Sequence, residues 1–363
     1  MSQTALHSWL ASEQAQMGTY NGVETALSFG SPAGELAALR QGCGVFAVAW
    51  RSLIAVTGKD RVRWLHNMVT NNVRDLAVNR GNYNFVLNAQ GRILGDMCIF
   101  NRGESFLLET DTSQVETLVN AMKRFIIMDK VELTPAAGLT ALGVCGPEAA
   151  KTLATAGVDI SGMAAMETRE ISVAGHSVTV IAGPESKPGW YEIWLGLSTP
   201  DQPINGPDDS SSHAQEIWAK LIGAGALPVG SEALETWRIL RGIPQYGQDI
   251  RNSDLPQETC QTTALNFTKG CYIGQEIVER IRSRGHVHRQ FSGFEFPAGV
   301  PEPAKGEPDR KAMAEITSVA RVPAAEGTKN IGLGYVRREV LAAGPEVDLN
   351  GLTIRVVELP FEI

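Results

Sequence analysis

At 363 residues the chain exceeds one average domain, and its 43% hydrophobic and 20% charged residues suit a folded protein in water with a substantial core. A formal net charge of −8 excludes the broad positive field that nucleic acid or an anionic membrane surface requires, so an anionic ligand must find a local basic patch. No apolar run approaches the roughly 20 residues of a membrane span, and Met1 to Tyr20 lacks the basic-then-apolar pattern of a secretory leader.

The five cysteines, Cys43, Cys98, Cys145, Cys260 and Cys271, include no C-x-x-C pair. Neither a disulfide framework nor a built-in zinc or iron–sulfur site is expected, and a reducing cytoplasm fits. His286 and His288 form an H-x-H pair, which alone is weak metal evidence and reads equally as a solvated basic segment.

In chain order, residues 1 to 45 predict a helix, a loop and a second short helix, with Ala33 to Gln41 ended by Gly42-Cys43-Gly44. Arg51 to Thr57 alternates as a strand and turns at Gly58-Lys59-Asp60 into an amphipathic helix, Arg61 to Asn67. Gly81 to Asn88 and Arg92 to Phe100 predict a hairpin around Asn88-Ala89-Gln90-Gly91. Its second arm carries Asp96, a carboxylate either at a solvated rim or in a pocket where burial and partners set its pKa. Ser105 to Thr110 predicts a strand, Val115 to Phe125 a helix, Leu139 to Cys145 a strand, and Ile171 to Ala182 a strand pair turning at Gly175-His176.

Gly189 to Leu195 is the most aromatic segment. With a period of two, Trp190, Glu192 and Trp194 share one face. A carboxylate between two indoles suits a flat heteroaromatic ligand, whose faces stack on the rings and whose N–H groups it accepts; equally, the indoles could cover a core. Pro200 to His213 reads as a polar loop or insertion. Ala214 to Ala224 and Ser231 to Arg241 predict helices, the second bearing Trp237, Arg238 and Arg241, suited to carboxylate or phosphate recognition or simply to the helix end. From Phe291 onward, short apolar runs separated by Gly, Pro and Asn predict a small antiparallel barrel or sandwich with a boundary near residue 290.

Lys269-Gly270-Cys271-Tyr272-Ile273-Gly274-Gln275-Glu276 combines two glycines, a cation, a thiol and a Gln-Glu pair. From Tyr272 the pattern turns helical, with Ile273, Ile277 and Ile281 as an apolar stripe and Arg280, Arg282 and Gly285 at the end. Cys271 is therefore expected at or just before a helix N-terminus, where the dipole and Lys269 would lower its pKa; a small buried cysteine in a Gly-rich loop is the alternative.

These segments resemble the superfamily of the folate-dependent T-protein, the aminomethyltransferase of glycine cleavage, and its YgfZ-type relatives, folate-binding proteins linked to iron–sulfur cluster maintenance. The resemblance spans nearly the whole chain: Lys269 to Glu276 looks like the K-G-C-Y-x-G-Q-E signature of the YgfZ branch, while Thr57 to Asp60, Asn88 to Asp96, Arg238 to Gly247 and Leu359-Pro360-Phe361 fit the wider superfamily. It implies an α+β cloverleaf of three subdomains around a central folate channel: a folate-binding region over 1–289, divided near 45–140 and 141–289, and a C-terminal β-barrel over 290–363. By the same resemblance Arg238 would lie near the glutamyl or benzoyl end of tetrahydrofolate and Glu192 near its pterin. Trp190, Tyr272, Gln275 and Glu276 would complete the cofactor site, and Asp96 would position the reacting folate nitrogen. The expected function is tetrahydrofolate-dependent support of iron–sulfur client proteins, with Cys271 presenting a thiolate beside Lys269. The alternatives are one-carbon transfer by an aminomethyltransferase or demethylase, and a non-catalytic scaffold.

Overall fold

The computed structural model describes residues 6–135, 139–196, 208–297, 301, 303–304, 309, 311–324, 327–349 and 351–362. The chain begins with α1 (His7–Ser12), β1 (Gln16–Tyr20), β2 (Val23–Ser28), α2 (Pro32–Gln41), β3 (Gly44–Ala47), β4 (Arg51–Thr57) and α3 (Arg61–Met68). It continues through β5 (Gly81–Leu87), β6 (Ile93–Asn101), β7 (Phe106–Asp111), α4 (Val115–Lys123), β8 (Glu132–Pro135), β9 (Thr140–Cys145) and α5 (Ala149–Thr155). Next come β10 (Thr168–Val173), β11 (His176–Ala182), β12 (Trp190–Leu195), α6 (Asp208–Gly223), β13 (Leu227–Pro228), α7 (Ser231–Leu240) and α8 (Gln275–Arg284). The last elements are β14 (Arg289–Phe296), β15 (Ala314–Ala324), β16 (Gly327–Arg337), α9 (Arg338–Ala343), β17 (Glu346–Leu349) and β18 (Leu352–Val357).

Most elements lie where the sequence pattern puts them, because each carries its own start or stop. Ser31 caps α2 by accepting the Gly34 N–H at 3.2 Å, and Pro32 opens the helix at a position that needs no N–H. Two segments differ from expectation. The loop expected between the first two helices is a hairpin, β1 on β2, turned at Asn21 and Gly22, both at positive φ; Asn-Gly flanked by alternating residues is the signal that identifies it. The loop expected over residues 200–213 lies outside the described residues as far as 207, and from Asp208 the backbone is already α6.

Two compact units can be distinguished, each discontinuous in sequence. The first comprises Met1–Leu65, Val73–Tyr83 and Met97–Leu234; the second comprises His66–Asn72, Asn84–Asp96 and Glu235–Ile363. Residues 235–289, expected to group with the preceding segment, thus cluster with the C-terminal strands.

In the first unit a six-stranded sheet runs β10-β11-β12-β9-β3-β13, antiparallel except for the β3–β13 pair. One face packs on α1 and α6 through Leu10, Val45, Val144, Ile193, Leu195, Ile217 and Trp218, all buried. The alternation along β12 puts Ile193 and Leu195 into this core and turns Trp190, Glu192 and Trp194 to the opposite face. A five-stranded sheet runs β5-β6-β7-β4-β8.

The C-terminal sheet of the second unit runs β15-β16-β14-β18-β17 over a core that includes Phe294, Ile316, Val336, Ile354 and Val356. It is an open sheet, not the closed barrel expected. Among the described residues β15 pairs with β16 and β17 with β18, so β15 and β17 are its edges. The four residues of β17 offer too few backbone groups to close against the eleven of β15.

Candidate functional site

The Lys269 to Glu276 segment belongs to the second unit and is anchored by its own polar groups. Asn266 Oδ1 accepts the backbone N–H groups of Thr268 and Lys269, both at 2.9 Å. The Lys269 side chain is buried, and its ammonium donates to the carbonyls of His66 at 2.6 Å, Val69 at 2.5 Å and Asn71 at 2.8 Å. Those three bonds use all three of its donors. Its charge also complements the carbonyl end of α3. Lys269 is therefore a clamp on a chain turn about two hundred residues earlier, rather than the activator of the neighbouring thiol.

The helix also begins later than expected. Gly274, at φ +81°, stands between the loop and α8, which starts at Gln275, so Cys271 lies before the helix, three residues ahead of its N-cap. A Cβ on Gly274 would come within 2.6 Å of the Asn88 carbonyl oxygen, and one on Gly91 within 2.7 Å of Ile277 Cβ. Glycine at both positions lets the β5–β6 turn press against the start of α8. Gln275 accepts the Tyr272 N–H through Oε1 at 3.2 Å, which ties the loop to the helix, and Glu276 is exposed in the first helical turn. Tyr272 is buried, and burial pushes its phenol up to about 12, with Glu279 adding to the effect. Cys271 is exposed. The expected stripe of Ile273, Ile277 and Ile281 is only half-buried, and the inward residue of α8 is Val278.

Asp96 is half-buried on β6, in the same unit. Beside this strand Tyr246 donates its hydroxyl to the Leu94 carbonyl at 2.7 Å. The phenol is raised by burial first and then by the Asp96 and Asp254 charges. Arg238, expected to meet the acidic end of a ligand, is buried with its five donors directed at the protein: Glu235 takes two, and Ile243 O, Asp249 and Ser318 take the rest. A ligand carboxylate would have to displace one of these bonds. Asp249 also receives the Ser318 hydroxyl at 2.7 Å and the Gln245 N–H at 2.9 Å, so Arg238 is one member of a buried polar node.

In the first unit Glu192 is buried, with Trp190 Nε1 donating to one oxygen at 2.9 Å and Trp194 Nε1 to the other at 2.8 Å. The rings therefore turn their N–H edges to the carboxylate. Trp190 packs on Phe46 at a centroid distance of 4.8 Å, and Trp194 meets Phe100 edge-on at 5.5 Å. Each indole thus packs against a phenylalanine, Trp190 in a tilted and Trp194 in an edge-on arrangement. Burial and then the Glu109 charge raise the Glu192 carboxyl, outweighing the two indole bonds and Arg51. Glu109 moves the other way: burial alone would raise it, but the charge and hydrogen bond of Arg51, which also pairs with Asp111 at 3.0 Å, bring it below its ordinary value. Sequence reasoning missed Arg51, Glu109 and Tyr246. In the register of β4 and β7 Arg51 lies opposite Asp111 and Glu109 opposite Leu53, so the Arg51–Glu109 contact is a diagonal one that appears only once the two strands are aligned.

The opposite shifts give a pH dependence. The neutral form of Glu192 favours folding, so its contribution is full below the unfolded carboxylate value of about 4.3 and is lost as pH rises through the raised folded value. The contribution of Glu109 is full above that value and is lost as pH falls through its lowered one. Urea unfolding from pH 4.5 upward is expected to show the parent losing stability relative to Glu192→Gln as pH rises. A constant difference would refute the burial of an ionisable Glu192.

The chain's likenesses agree with this architecture. Residues 6–184 match the family model of the GCVT N-terminal domain. An aminomethyltransferase of Rubrobacter xylanophilus is 27% identical, with 96% of this chain and 90% of the relative covered. One from Caldanaerobacter subterraneus is 24% identical over 96% of this chain and 91% of the relative. The fold is that of the glycine cleavage system aminomethyltransferase T of Bartonella henselae, at a TM-score of 0.80 and 20% identity over 99% of this chain and 97% of that one. Together these likenesses show a GcvT-like fold, with the GCVT N-terminal domain matched over residues 6–184. Among the described residues no helix is long and apolar enough to cross a membrane, and no group of three His, Cys, Asp or Glu could hold a metal ion.

Proposed function

We propose that the protein binds tetrahydrofolate and transfers a one-carbon unit, as the names of its aminomethyltransferase relatives suggest. The observation that carries this reading is Asp96, a carboxylate held half-buried on β6 beside a strand carbonyl that the half-buried Tyr246 phenol secures. The residues of the second unit fit such a ligand, since Asp96 offers an accepting carboxylate that water only partly screens. Tetrahydrofolate would supply the amine nitrogen that accepts the one-carbon unit. Asp96 would orient an N–H group and stabilise positive charge developing there. Asp96→Asn keeps the shape and removes the charge, so formation of methylene-bearing folate, with release of ammonia and the free dithiol, from a lipoyl-carried aminomethyl donor is expected to fall on the order of 10²-fold with folate binding retained. A parent protein that forms no methylene-bearing folate with that donor would sink the proposal.

A second reading, folate-linked support of iron–sulfur client proteins, is favoured by Cys271, an exposed thiol on a loop fixed by Lys269 and Gly274. It predicts that Cys271→Ala fails to restore cluster-enzyme activity in deficient cells while still binding tetrahydrofolate. Full restoration would remove the thiol from the account.

A further inference from the structure

Exposed apolar side chains of the first unit gather at one turn, between α4 and β8. Of the seven large apolar side chains that stand exposed among the described residues, three belong to it: Phe125 at 46%, Ile127 at 84% and Met128 at 91%. Single exposed apolar residues are ordinary, but a cluster of them marks a contact site. The backbone beneath them is fixed. Buried Trp64 donates its indole N–H to the Phe125 carbonyl at 3.2 Å, Asp60 accepts the Lys130 N–H at 2.8 Å, and Asp129 pairs with Arg63. The Ile126 N–H reaches the Lys123 carbonyl at 3.1 Å, and that residue is half-buried. Exposure as nearly complete as that of Ile127 and Met128 belongs to side chains standing off a tip rather than lining a groove.

The tip has a cationic collar. Lys123 and Arg124 precede it and Lys130 follows it, all exposed. Lys59 is exposed on the adjacent β4–α3 turn, where a Cβ on Gly58 would come within 2.1 Å of the Lys130 carbonyl oxygen. The nearby carboxylates are Asp60 and Asp129, between which Arg63 stands, and the exposed Glu132; Arg61 reaches away to Glu104 at 3.5 Å. Positive charge is therefore in local excess on a chain whose net charge is −8. That charge opposes a second copy of the tip, collar against collar, and it matches an anionic surface. The rest of the chain repels such a surface, but charges farther away than about 8 Å are largely screened at physiological ionic strength, so the collar decides the contact.

We propose that this turn is a peripheral docking site for an anionic lipid surface, with Ile127 and Met128 entering the acyl boundary, Phe125 at headgroup level and Lys59, Lys123, Arg124 and Lys130 on the lipid phosphates. Apolar side chains buried at that boundary and cations beside anionic lipid add to one another, and the long stems of Lys and Arg let their charged ends stay at the headgroups. No residue of the one-carbon reading takes part.

The test is cosedimentation of the full-length protein with vesicles of phosphatidylglycerol and phosphatidylcholine in equal parts, and with vesicles of phosphatidylcholine alone, at physiological ionic strength. Binding to the anionic vesicles is expected, about tenfold or more tighter than to the neutral ones, together with slowed amide exchange in residues 123–130. Ile127→Ser combined with Met128→Ser alters only exposed side chains, so urea unfolding should match the parent while vesicle binding weakens on the order of 10²-fold, about tenfold for each inserted side chain. Lys123→Gln combined with Lys130→Gln should remove most of the preference for anionic lipid. Parent-like binding by the serine variant, or equal binding of neutral and anionic vesicles, would overturn the proposal. Absence of binding to either vesicle would also overturn it and leave the tip to an acidic protein partner.

Discussion

Arg289→Met is expected to lower the stability of the protein by about 4 kcal/mol, the cost of leaving buried carboxylates without their cation. Arg289 is buried and pairs with Asp254 at 2.5 Å and Glu315 at 3.0 Å, with Glu258 at 3.5 Å, and its guanidinium lies 4.3 Å from the centre of the Tyr335 ring. Arg251 holds the other side of Glu315 at 2.9 and 2.8 Å. Methionine fills similar volume, so packing is largely retained and the electrostatic loss dominates. The remaining carboxylates would protonate to relieve their repulsion. The deficit of the variant in urea unfolding should therefore narrow as pH falls toward the carboxylate range. A loss below about 1 kcal/mol, typical of an exposed pair, would mean that the cluster is hydrated.

Lys269→Met should cost about 3 kcal/mol, because it removes one cation and leaves three carbonyls, two of them in buried residues, short of a donor, each worth roughly 1 kcal/mol or more. The same variant separates two roles for this lysine. If Lys269 serves as the clamp seen here, unfolding shifts strongly, and Cys271 is alkylated under native conditions at the parent's rate. If it activates the thiol, alkylation slows with little change in unfolding. Loss of the clamp should also raise amide exchange in residues 66–72, whose carbonyls it holds, before it affects β14 or β16.

The fold was legible where local chemistry is sufficient. The alternation in β12 correctly placed Trp190, Glu192 and Trp194 on one face and Ile193 and Leu195 on the other, since a strand has a period of two whatever it packs on. Asn21-Gly22 was an equally local signal that identified a hairpin, overlooked because its flanking strands are short and polar. The helical start at Tyr272 failed for a different reason. Gly274 takes a left-handed conformation because the Asn88 carbonyl approaches it closely, and no pattern in the motif reports that neighbour.

Charged residues were the hardest to interpret. Arg289 follows Arg280 and Arg282 by only a few residues, yet Arg289 is buried among carboxylates while Arg280 and Arg282 face solvent. Arg238 seemed open to a ligand until Asp249 and Ser318 accounted for donors that Glu235 had left. Lys269 seemed to be a neighbour of Cys271, but its partners are carbonyls of residues 66, 69 and 71.

The amino-acid sequence by itself determined most of the succession of helices and antiparallel strands and the face each side chain takes on its own element. These depend on backbone periodicity, caps and composition, which act within a few residues. The tertiary structure alone decided which charges are buried and neutralised, where the C-terminal sheet ends, and that the isoleucine stripe of α8 lines a cleft with Arg92 and His286. Burial and pairing arise between groups far apart in sequence, and a charge buried with its partner differs from one in water by several kcal/mol. No local pattern encodes that difference.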